Sequence, residues 1–201
     1  MENKTMDYIC DLLISTGRTG MRDLIACMKD NGFFAAPCSG SNHLAKEGGL
    51  AEHSVNVYEI MKDTFLCMLP EKGTELIESV IICSLLHDLG KMGDYGKPNY
   101  VPNMIKSRKK NENGEYPLAQ SEAKPFEVNK ELLYIPHEVR SVVIAERYIH
   151  LTEEEEQAIL WHNGLYGEFR YDIQGKETPL YLLLHFADMW ASRVVEVKNE
   201  I

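Results

Sequence analysis

The stretch CSLLHDLGK, residues 83–91, poses the central question of this sequence. An apolar run over residues 80–86 leads directly into His87 and Asp88 and stops at Gly90. The pattern indicates the end of a buried helix, where an unpaired carboxylate would cost on the order of several kcal/mol. We therefore expect the rest of the chain to supply a partner for Asp88.

The overall composition favours a single cytoplasmic domain spanning residues 1–201. A chain of 201 residues that is 44% hydrophobic can bury one core. Charged residues or proline interrupt every apolar run before about 18 residues, so we expect no membrane span. The N-terminus, MENKTMDYIC, lacks the basic start and apolar stretch of a signal peptide.

The cysteines favour reduced thiols. They are odd in number, widely spaced and contain no CxxC pair, which is typical neither of a disulfide framework nor of a thiolate zinc site. We interpret them as small apolar residues of a reduced interior. These residues are Cys10, Cys27, Cys38, Cys67 and Cys83.

The charge balance is acidic, with one basic exception. A net charge of −10 disfavours generic adhesion to nucleic acid or to an anionic membrane. Residues 97–110, however, contain five basic residues and no acidic one. Two interpretations stay open: a solvated loop, or a rim that attracts phosphate. The basic residues are Lys97, Lys106, Arg108, Lys109 and Lys110.

Helical periodicity dominates the chain and predicts an all-α fold. Proline, glycine and capping residues mark where most helices begin and end, among them an N-cap at Thr74 and a capping box at Thr152. The predicted helices cover residues 5–14, 21–30, 50–69, 74–89, 137–149, 152–163 and 179–197.

An insert over residues 92–134 interrupts the helical pattern. It contains several prolines and glycines, and Asn113-Gly114 is typical of a tight hairpin turn. Residues 100–101 and 116–118 are candidates for its strands. We therefore predict a small β-hairpin around residues 97–120, in an insert whose length is typical of functional or mobile loops.

Three predicted helices each place an ionisable residue on an otherwise apolar face. His53 lies on the first, His87 and Asp88 end the second, and Asp188 lies on the last. One such residue alone is typical of a hydrogen-bonded core side chain. Several on separate helices are better explained by one shared cation.

Further histidines lie where they can reach the same cleft. His137 is at a helix start, His162 is near a helix end, and His43 lies in the loop before residue 50. A nitrogen-rich set with two carboxylates suits Mn, Fe, Co, Ni or Zn rather than Ca, and it disfavours Mg. The two oxygens of Asp88 can bridge two ions about 3.5–4 Å apart, and Lys91 can neutralise a phosphate oxygen.

The order His53, His87-Asp88, Asp188 resembles the HD-domain superfamily of metal-dependent phosphohydrolases, which are helical bundles. The resemblance covers residues 42–191, and LLHDLGK is close to the usual HD-x-G-K signature. Asn42-His43 and GGLAEHS, residues 48–54, are similar to the HD domain of the YhaM-type bacterial 3′-to-5′ exoribonucleases. Asn163 departs from that pattern, since those relatives commonly have a second histidine there.

The resemblance implies one or two divalent metal ions and hydrolysis by a metal-activated hydroxide. It implies that Asp88 and Lys91 act in catalysis, with Lys91 contacting phosphate. His43 is a further candidate for phosphate contact, and His185 a candidate for substrate contact or for a supporting position in the core. The implied ligands are His53, His87, Asp88 and Asp188 for the first ion, and Asp88, His137 and His162 for the second.

The expected substrate is a phosphomonoester or phosphodiester of a nucleotide or short oligonucleotide. We expect this chain to lack the OB domain of the exoribonucleases, and its net charge is acidic, so a small substrate is favoured. One alternative is an exonuclease on short RNA or single-stranded DNA, with Lys106 and Arg108 binding the strand. Another is a nucleotide-sensing module that keeps the metal cage without chemistry. The sequence leaves open whether the chain forms a homo-oligomer.

Overall fold

Helix α3, Gly49–Met68, lies at the centre of a helical bundle in the computed structural model, which describes residues 2–69, 76–164 and 171–197. It packs against helix α4, Ile77–Leu86, and helix α7, Pro179–Trp190. Helix α1, Glu2–Ser15, packs on α3 and α4 from one side. The predicted N-cap at Thr74 lies outside the described residues.

Three more helices complete the bundle. They are α2, Met21–Asp30; α5, His137–Glu146; and α6, Glu153–Trp161. Helix α6 packs against α4, α5 and α7. One hydrophobic cluster contains buried residues from all seven α-helices. The prediction of a mostly α-helical fold is confirmed.

Local sequence signals explain how α6 and α7 begin. The Thr152 side chain accepts a hydrogen bond from the Glu155 backbone, and the Glu155 side chain accepts one from the Thr152 backbone, which confirms the capping box. Thr178 caps α7 in the same way through the backbone N–H of Tyr181, and proline follows at the first helical position.

Several helices end before the predicted residue, including α6, at Trp161 rather than 163, and α7, at Trp190 rather than 197. Helix α4 ends at Leu86 rather than near residue 89, and a 3₁₀ turn, Leu89–Met92, follows His87 and Asp88. The backbone N–H of Lys91 donates to the Asp88 carbonyl over 2.8 Å, the tighter i→i+3 spacing of such a turn. Helix α5 ends at Glu146 rather than at residue 149.

The insert forms an antiparallel ribbon in two pieces. Strand β1, Tyr100–Pro102, pairs with β4, Phe126–Val128, and β2, Met104–Lys106, pairs with β3, Leu118–Gln120. The predicted turn is confirmed, because Gly114, at a φ of 79°, donates its N–H to the Asn111 carbonyl. The predicted pairing of residues 100–101 with 116–118 is wrong. Paired residues of a hairpin lie at about equal distances from its turn. Leu118 is close to the turn and therefore pairs with Lys106, whereas Tyr100 pairs with Val128.

Within the described part of the chain, no helix has both the length and the apolar character that crossing a bilayer requires.

The ribbon joins the bundle at Gly40, whose carbonyl accepts a hydrogen bond from the Phe126 backbone over 3.1 Å. The ribbon thus approaches the loop that precedes α3, on the side where the candidate site residues lie.

Candidate metal centre

Asp88 is buried at the point where α4 ends, and one of its oxygens faces α3 and its own turn. Oδ2 lies 2.6 Å from the Lys91 ammonium, 3.6 Å from His53 Nε2 and 3.5 Å from His87 Nε2. The 3₁₀ turn brings Lys91 to this oxygen, because it tightens the chain just after Asp88. This oxygen of Asp88 therefore lies near two imidazoles and the ammonium group of Lys91.

The other oxygen of Asp88 faces α5 and α6. Oδ1 lies 3.2 Å from His137 Nε2, at the first residue of α5, and 3.5 Å from His162 Nε2, just past the end of α6. The two imidazole nitrogens are 3.3 Å apart. Neither of the contacts of Oδ1 has hydrogen-bond geometry. Among the described residues, Asp88 Oδ1 is the one buried side-chain nitrogen or oxygen atom that has no hydrogen-bond partner. A shared cation would satisfy all three atoms.

Asp188, on α7, completes the first set. Its Oδ1 lies 3.2 Å from His53 Nε2, which is 3.3 Å from His87 Nε2. In this centre, two groups of three side chains each have ligand atoms within 4.8 Å of one another and could hold a metal ion. These groups are His53, His87 and Asp188, and His87, Asp88 and His162.

Backbone carbonyls orient two of the imidazoles. The Ser84 carbonyl lies 2.9 Å from His87 Nδ1, and the Ile159 carbonyl lies 2.7 Å from His162 Nδ1. A carbonyl can only accept, so Nδ1 carries a proton in each ring, and in the neutral ring Nε2, which lies near Asp88, is the nitrogen that can bind a cation. Metal-ligating histidines in proteins are commonly held in this way.

The charges around Asp88 answer the question that the sequence raises. Burial tends to raise the pKa of Asp88, but the Lys91 ammonium and the adjacent His87 hold it well below its usual range. Burial lowers the pKa of Lys91, yet Asp88 raises it above its usual range in turn. Asp88 is therefore a buried carboxylate, paired on one side by Lys91 and open to a cation on the other.

Sequence reasoning missed Glu196, which supports His53 from behind. Its side chain is 1% exposed and lies 2.9 Å from His53 Nδ1, and Asn56 donates to it over 2.9 Å. Glu196 follows a π-helical turn, Ala191–Val195, that continues α7. Residue 196 lies eight positions after Asp188, a spacing that can put two residues on one helical face, so this spacing was the sequence signal that could have indicated Glu196.

The carboxylates also set the charge of His53. Burial alone would lower the pKa of this imidazole, but neighbouring acidic groups that include Asp188 and Glu196 raise it well above its usual value. The same interactions hold the pKa values of Asp188 and Glu196 below their usual ranges, against the effect of burial. Without metal, these two carboxylates thus favour the protonated form of His53.

His43 lies beside this set, as expected from its place before α3. Its ring centroid is 5.1 Å from that of His53, and its Nε2 lies 3.9 Å from Glu196. Burial and the neighbouring His53 lower its pKa. His43 and Glu196 border a cavity of about 950 Å³.

His185 supports the centre from behind. Its Nδ1 lies 2.8 Å from the His162 carbonyl, and its ring stacks on Tyr181. Gly164 lies so close to this ring that a Cβ atom there would overlap it. These contacts fit the supporting position that the sequence left open, and they give no sign of a substrate contact.

Lys106 and Arg108 lie away from these contacts. Both are exposed, on strand β2 and just after it, and neither hydrogen-bonds to or forms an ion pair with a residue of the metal centre in the described part of the chain. Nearby, the Lys110 ammonium lies 5.4 Å from the centre of the Tyr116 ring. The loop is thus an exposed basic surface at the tip of the ribbon.

Comparisons with models of known protein families, with curated proteins and with solved structures found no match for this chain. Its chemistry is therefore inferred from the side chains that meet at Asp88.

Proposed function

We propose that this chain is a metal-dependent phosphohydrolase that cleaves a phosphomonoester or phosphodiester of a nucleotide or short oligonucleotide. The observation that carries the proposal is the position of Asp88, whose two buried oxygens face two different sets of imidazoles. The resemblance of the order His53, His87-Asp88, Asp188 to HD-domain phosphohydrolases supports it. The free cysteines fit a reducing, cytoplasmic compartment.

The donor set suits first-row transition metals. Nitrogen donors outnumber carboxylates, which favours Mn, Fe, Co, Ni or Zn over Mg or Ca. When bound, such ions polarise phosphoryl oxygens and lower the pKa of water. One ion would be held by His53, His87, Asp88 and Asp188, and a second by Asp88, His137 and His162.

The chain's own residues would position the reaction. Lys91 places its half-buried ammonium 2.6 Å from Asp88, on the border of a cavity of about 670 Å³. A phosphate that enters this cavity would find a positive charge to offset its own. Glu196 would hold His53 in one orientation through the contact at Nδ1.

Two cavities border the centre, one at Lys91 and the other at His43 and Glu196, and each offers room for a nucleotide. The cavity beside Lys91 is also lined by Tyr100 and Phe126, aromatic side chains on which a base could stack. The cavity of about 950 Å³ beside His43 shares Ala45 and Lys46 with it as lining residues. Both volumes fall in the range of ligand sites, about 300–1,000 Å³.

Product release by the full chain tests the proposal. The protein is incubated with Mn²⁺ and with mononucleotides, cyclic nucleotides or short RNA, beside the variants Asp88→Asn and Asp63→Asn. Asp63 is exposed and serves as the matched control. We expect Asp88→Asn to reduce turnover by at least about 100-fold, the loss typical of removing a group that stabilises the transition state, and Asp63→Asn to leave it unchanged.

Two results would contradict the proposal. One is hydrolysis that persists in Asp88→Asn. The other is the absence of turnover with every substrate while Mn²⁺ still raises the melting temperature of the wild type and not of Asp88→Asn. The second result would favour the nucleotide-sensing module that keeps the metal cage.

A further inference from the structure

A short loop before α3 brings a thiol and an imidazole together beside the set around Asp88, with the Lys91 ammonium 3.9 Å from Cys38 Sγ. The Cys38 backbone N–H donates to the Leu44 carbonyl over 3.2 Å, and the Ser39 hydroxyl donates to the His43 carbonyl over 2.8 Å. Leu44 adopts a φ of 46°, a left-handed conformation that non-glycine residues rarely take. These features close the loop and leave Cys38 Sγ 3.3 Å from His43 Nε2.

His53 is the third member of this cluster. Cys38, His43 and His53 each offer one ligand atom, and these atoms lie within 4.8 Å of one another. Cys38 and His53 are both completely buried. The three side chains come from two elements, the closed loop and α3, whose relative position the bundle fixes. The grouping contains sulfur, which the set around Asp88 lacks.

We propose that Cys38, His43 and His53 form a second cation site, for a thiophilic divalent cation such as Zn²⁺ or Cd²⁺. Thiolate and imidazole ligands select such cations, whereas Mn²⁺ and Mg²⁺ prefer oxygen-rich sets. When the cation binds, the S–H bond of Cys38 breaks, the sulfur keeps the electron pair for the cation, and the proton passes to solvent. The cavity of about 950 Å³, which His43 lines, gives the cation a route.

The shared His53 links this site to the centre around Asp88. His53 Nε2 lies 3.2 Å from Asp188 and 3.3 Å from His87, so the same imidazole belongs to both groups. A cation held by Cys38 and His43 draws His53 away from those partners. If the proposed phosphohydrolase function holds, thiophilic cations inhibit the activity that Mn²⁺ supports, and they do so through Cys38.

Cobalt absorption tests the site independently of catalysis. Co²⁺ bound to a thiolate gives a sulfur-to-metal charge-transfer band, whereas Co²⁺ bound only by histidine and carboxylate does not. We expect the band in wild-type protein titrated with Co²⁺ and in Cys67→Ser, which changes an exposed cysteine. Cys38→Ser should lose the band, and His43→Gln should weaken Co²⁺ binding at this site by at least about tenfold, as loss of a ligand group does.

Three results would overturn the site: no band in wild type, an unchanged band in Cys38→Ser, or unchanged binding in His43→Gln. The His43→Gln variant decides the matter if Cys38→Ser does not fold. Failure of the proposed function gives a different pattern, in which the band appears without hydrolysis of any substrate. Mn²⁺-dependent hydrolysis that Cd²⁺ inhibits equally in wild type and Cys38→Ser would refute the coupling through His53.

Discussion

The carbonyl oxygen of His137 lies against Gly90, so close that a Cβ atom on Gly90 would overlap it. The Gly90 N–H donates to the Ser141 hydroxyl over 2.8 Å, and that hydroxyl donates to the His137 carbonyl over 2.8 Å. The 3₁₀ turn and α5 are thus in backbone contact. This contact sets how far Asp88, just before the turn, lies from His137, at the start of α5.

Gly90→Ala should therefore impair the centre without changing any ligand. The added methyl also meets Arg140 Cβ at 2.9 Å and the Ser141 N atom at 3.0 Å, so α5 has to shift. Overpacking of this kind costs about 1–3 kcal/mol of stability. A displacement of roughly 1 Å can reduce turnover by about 100-fold. Melting temperature and Mn²⁺-supported turnover measure the two effects.

Gly96→Ala is the matched control for that variant. Gly96 lies in an exposed turn at a φ of 69°, and nothing lies within 4 Å of a Cβ built there. The Gly96→Ala variant has backbone strain from the left-handed conformation, but its added Cβ atom meets no neighbour. It should therefore lower the melting temperature slightly and leave turnover unchanged. Equal turnover in both variants would refute the positioning role of Gly90.

Glu196→Gln should weaken metal binding. The carboxylate lies 2.9 Å from His53 Nδ1 and is almost completely buried, so its loss leaves the imidazole less basic and less firmly oriented. Loss of such a partner typically costs about 10–100-fold in metal affinity. Competition with a fluorescent chelator for Mn²⁺ measures the change, and Glu177→Gln, at an exposed position, is the control. Equal affinities would exclude the support of His53 by Glu196.

Stabilisation by Mn²⁺ should increase with pH. Because the pKa of His53 is raised in the fold, its charge stabilises the metal-free protein fully below the unfolded value of about 6.5. That contribution is lost as pH rises through the folded pKa, while a metal binds only the unprotonated ring. Asp88 and Asp188 have lowered pKa values and stay ionised throughout.

Melting temperatures with and without Mn²⁺, measured from about pH 6 upward, check this expectation. The shift caused by Mn²⁺ should grow along the series. In Glu196→Gln the growth should begin at lower pH, because one of the carboxylates that raises the pKa of His53 is gone. A shift that stays constant, or that shrinks with pH, would contradict a raised pKa for this residue.

Glu155→Ala should destabilise the bundle away from the metal centre. The completely buried carboxylate accepts two hydrogen bonds from Arg18, at 2.6 and 3.0 Å, and one from Ser79. Hydrogen bonds to charged groups contribute about 1.5–3 kcal/mol each, and the partly exposed Arg18 regains some of this from water, so the loss should be a few kcal/mol. Urea unfolding measures the loss. Glu154→Ala, at an exposed position on the same helix, should stay close to wild type, and similar losses in both variants would refute the assignment.

Neutralising the basic loop distinguishes an oligonucleotide substrate from a mononucleotide. Lys106→Ala combined with Arg108→Ala removes two exposed positive charges from the ribbon. If a strand binds there, the slope of log affinity against log salt should fall by about 0.7 for each lost phosphate contact. Filter binding of a short single-stranded RNA measures this slope. An unchanged slope would exclude the loop as a strand-binding surface.

Periodic patterns made the helices predictable, and loops and turns limited the rest. The bounds of α2 agree with the prediction because Met21–Asp30 is amphipathic and ends at Asn31-Gly32. The end of α4 was misplaced because the 3₁₀ turn keeps an apolar pattern. Glu196 was missed because its partner, His53, lies 143 residues away in the sequence, and one glutamate near a helix end resembles an ordinary solvent-exposed residue.

The position of Cys38 beside His43 was also not predictable from sequence patterns. The sequence indicated a small apolar interior residue. Burial raises the pKa of this thiol to about 11, which favours the neutral thiol expected of an interior residue. The loop that sets Cys38 beside His43 depends on hydrogen bonds and on the backbone of Leu44, which no periodicity reports. Cys38 and His43 are only five positions apart, but their side chains became neighbours through the closed loop and not through a helical pattern.

The sequence by itself determined the helices, the turn at Asn113-Gly114 and the identity of the buried histidines and aspartates, because periodicity and turn chemistry are local. Only the tertiary structure decided that the two oxygens of Asp88 face different imidazoles, that Lys91 pairs with one of them, and that Glu196 supports His53. These distances depend on how α3, α5, α6 and α7 pack around one carboxylate. Packing joins residues that no local pattern connects.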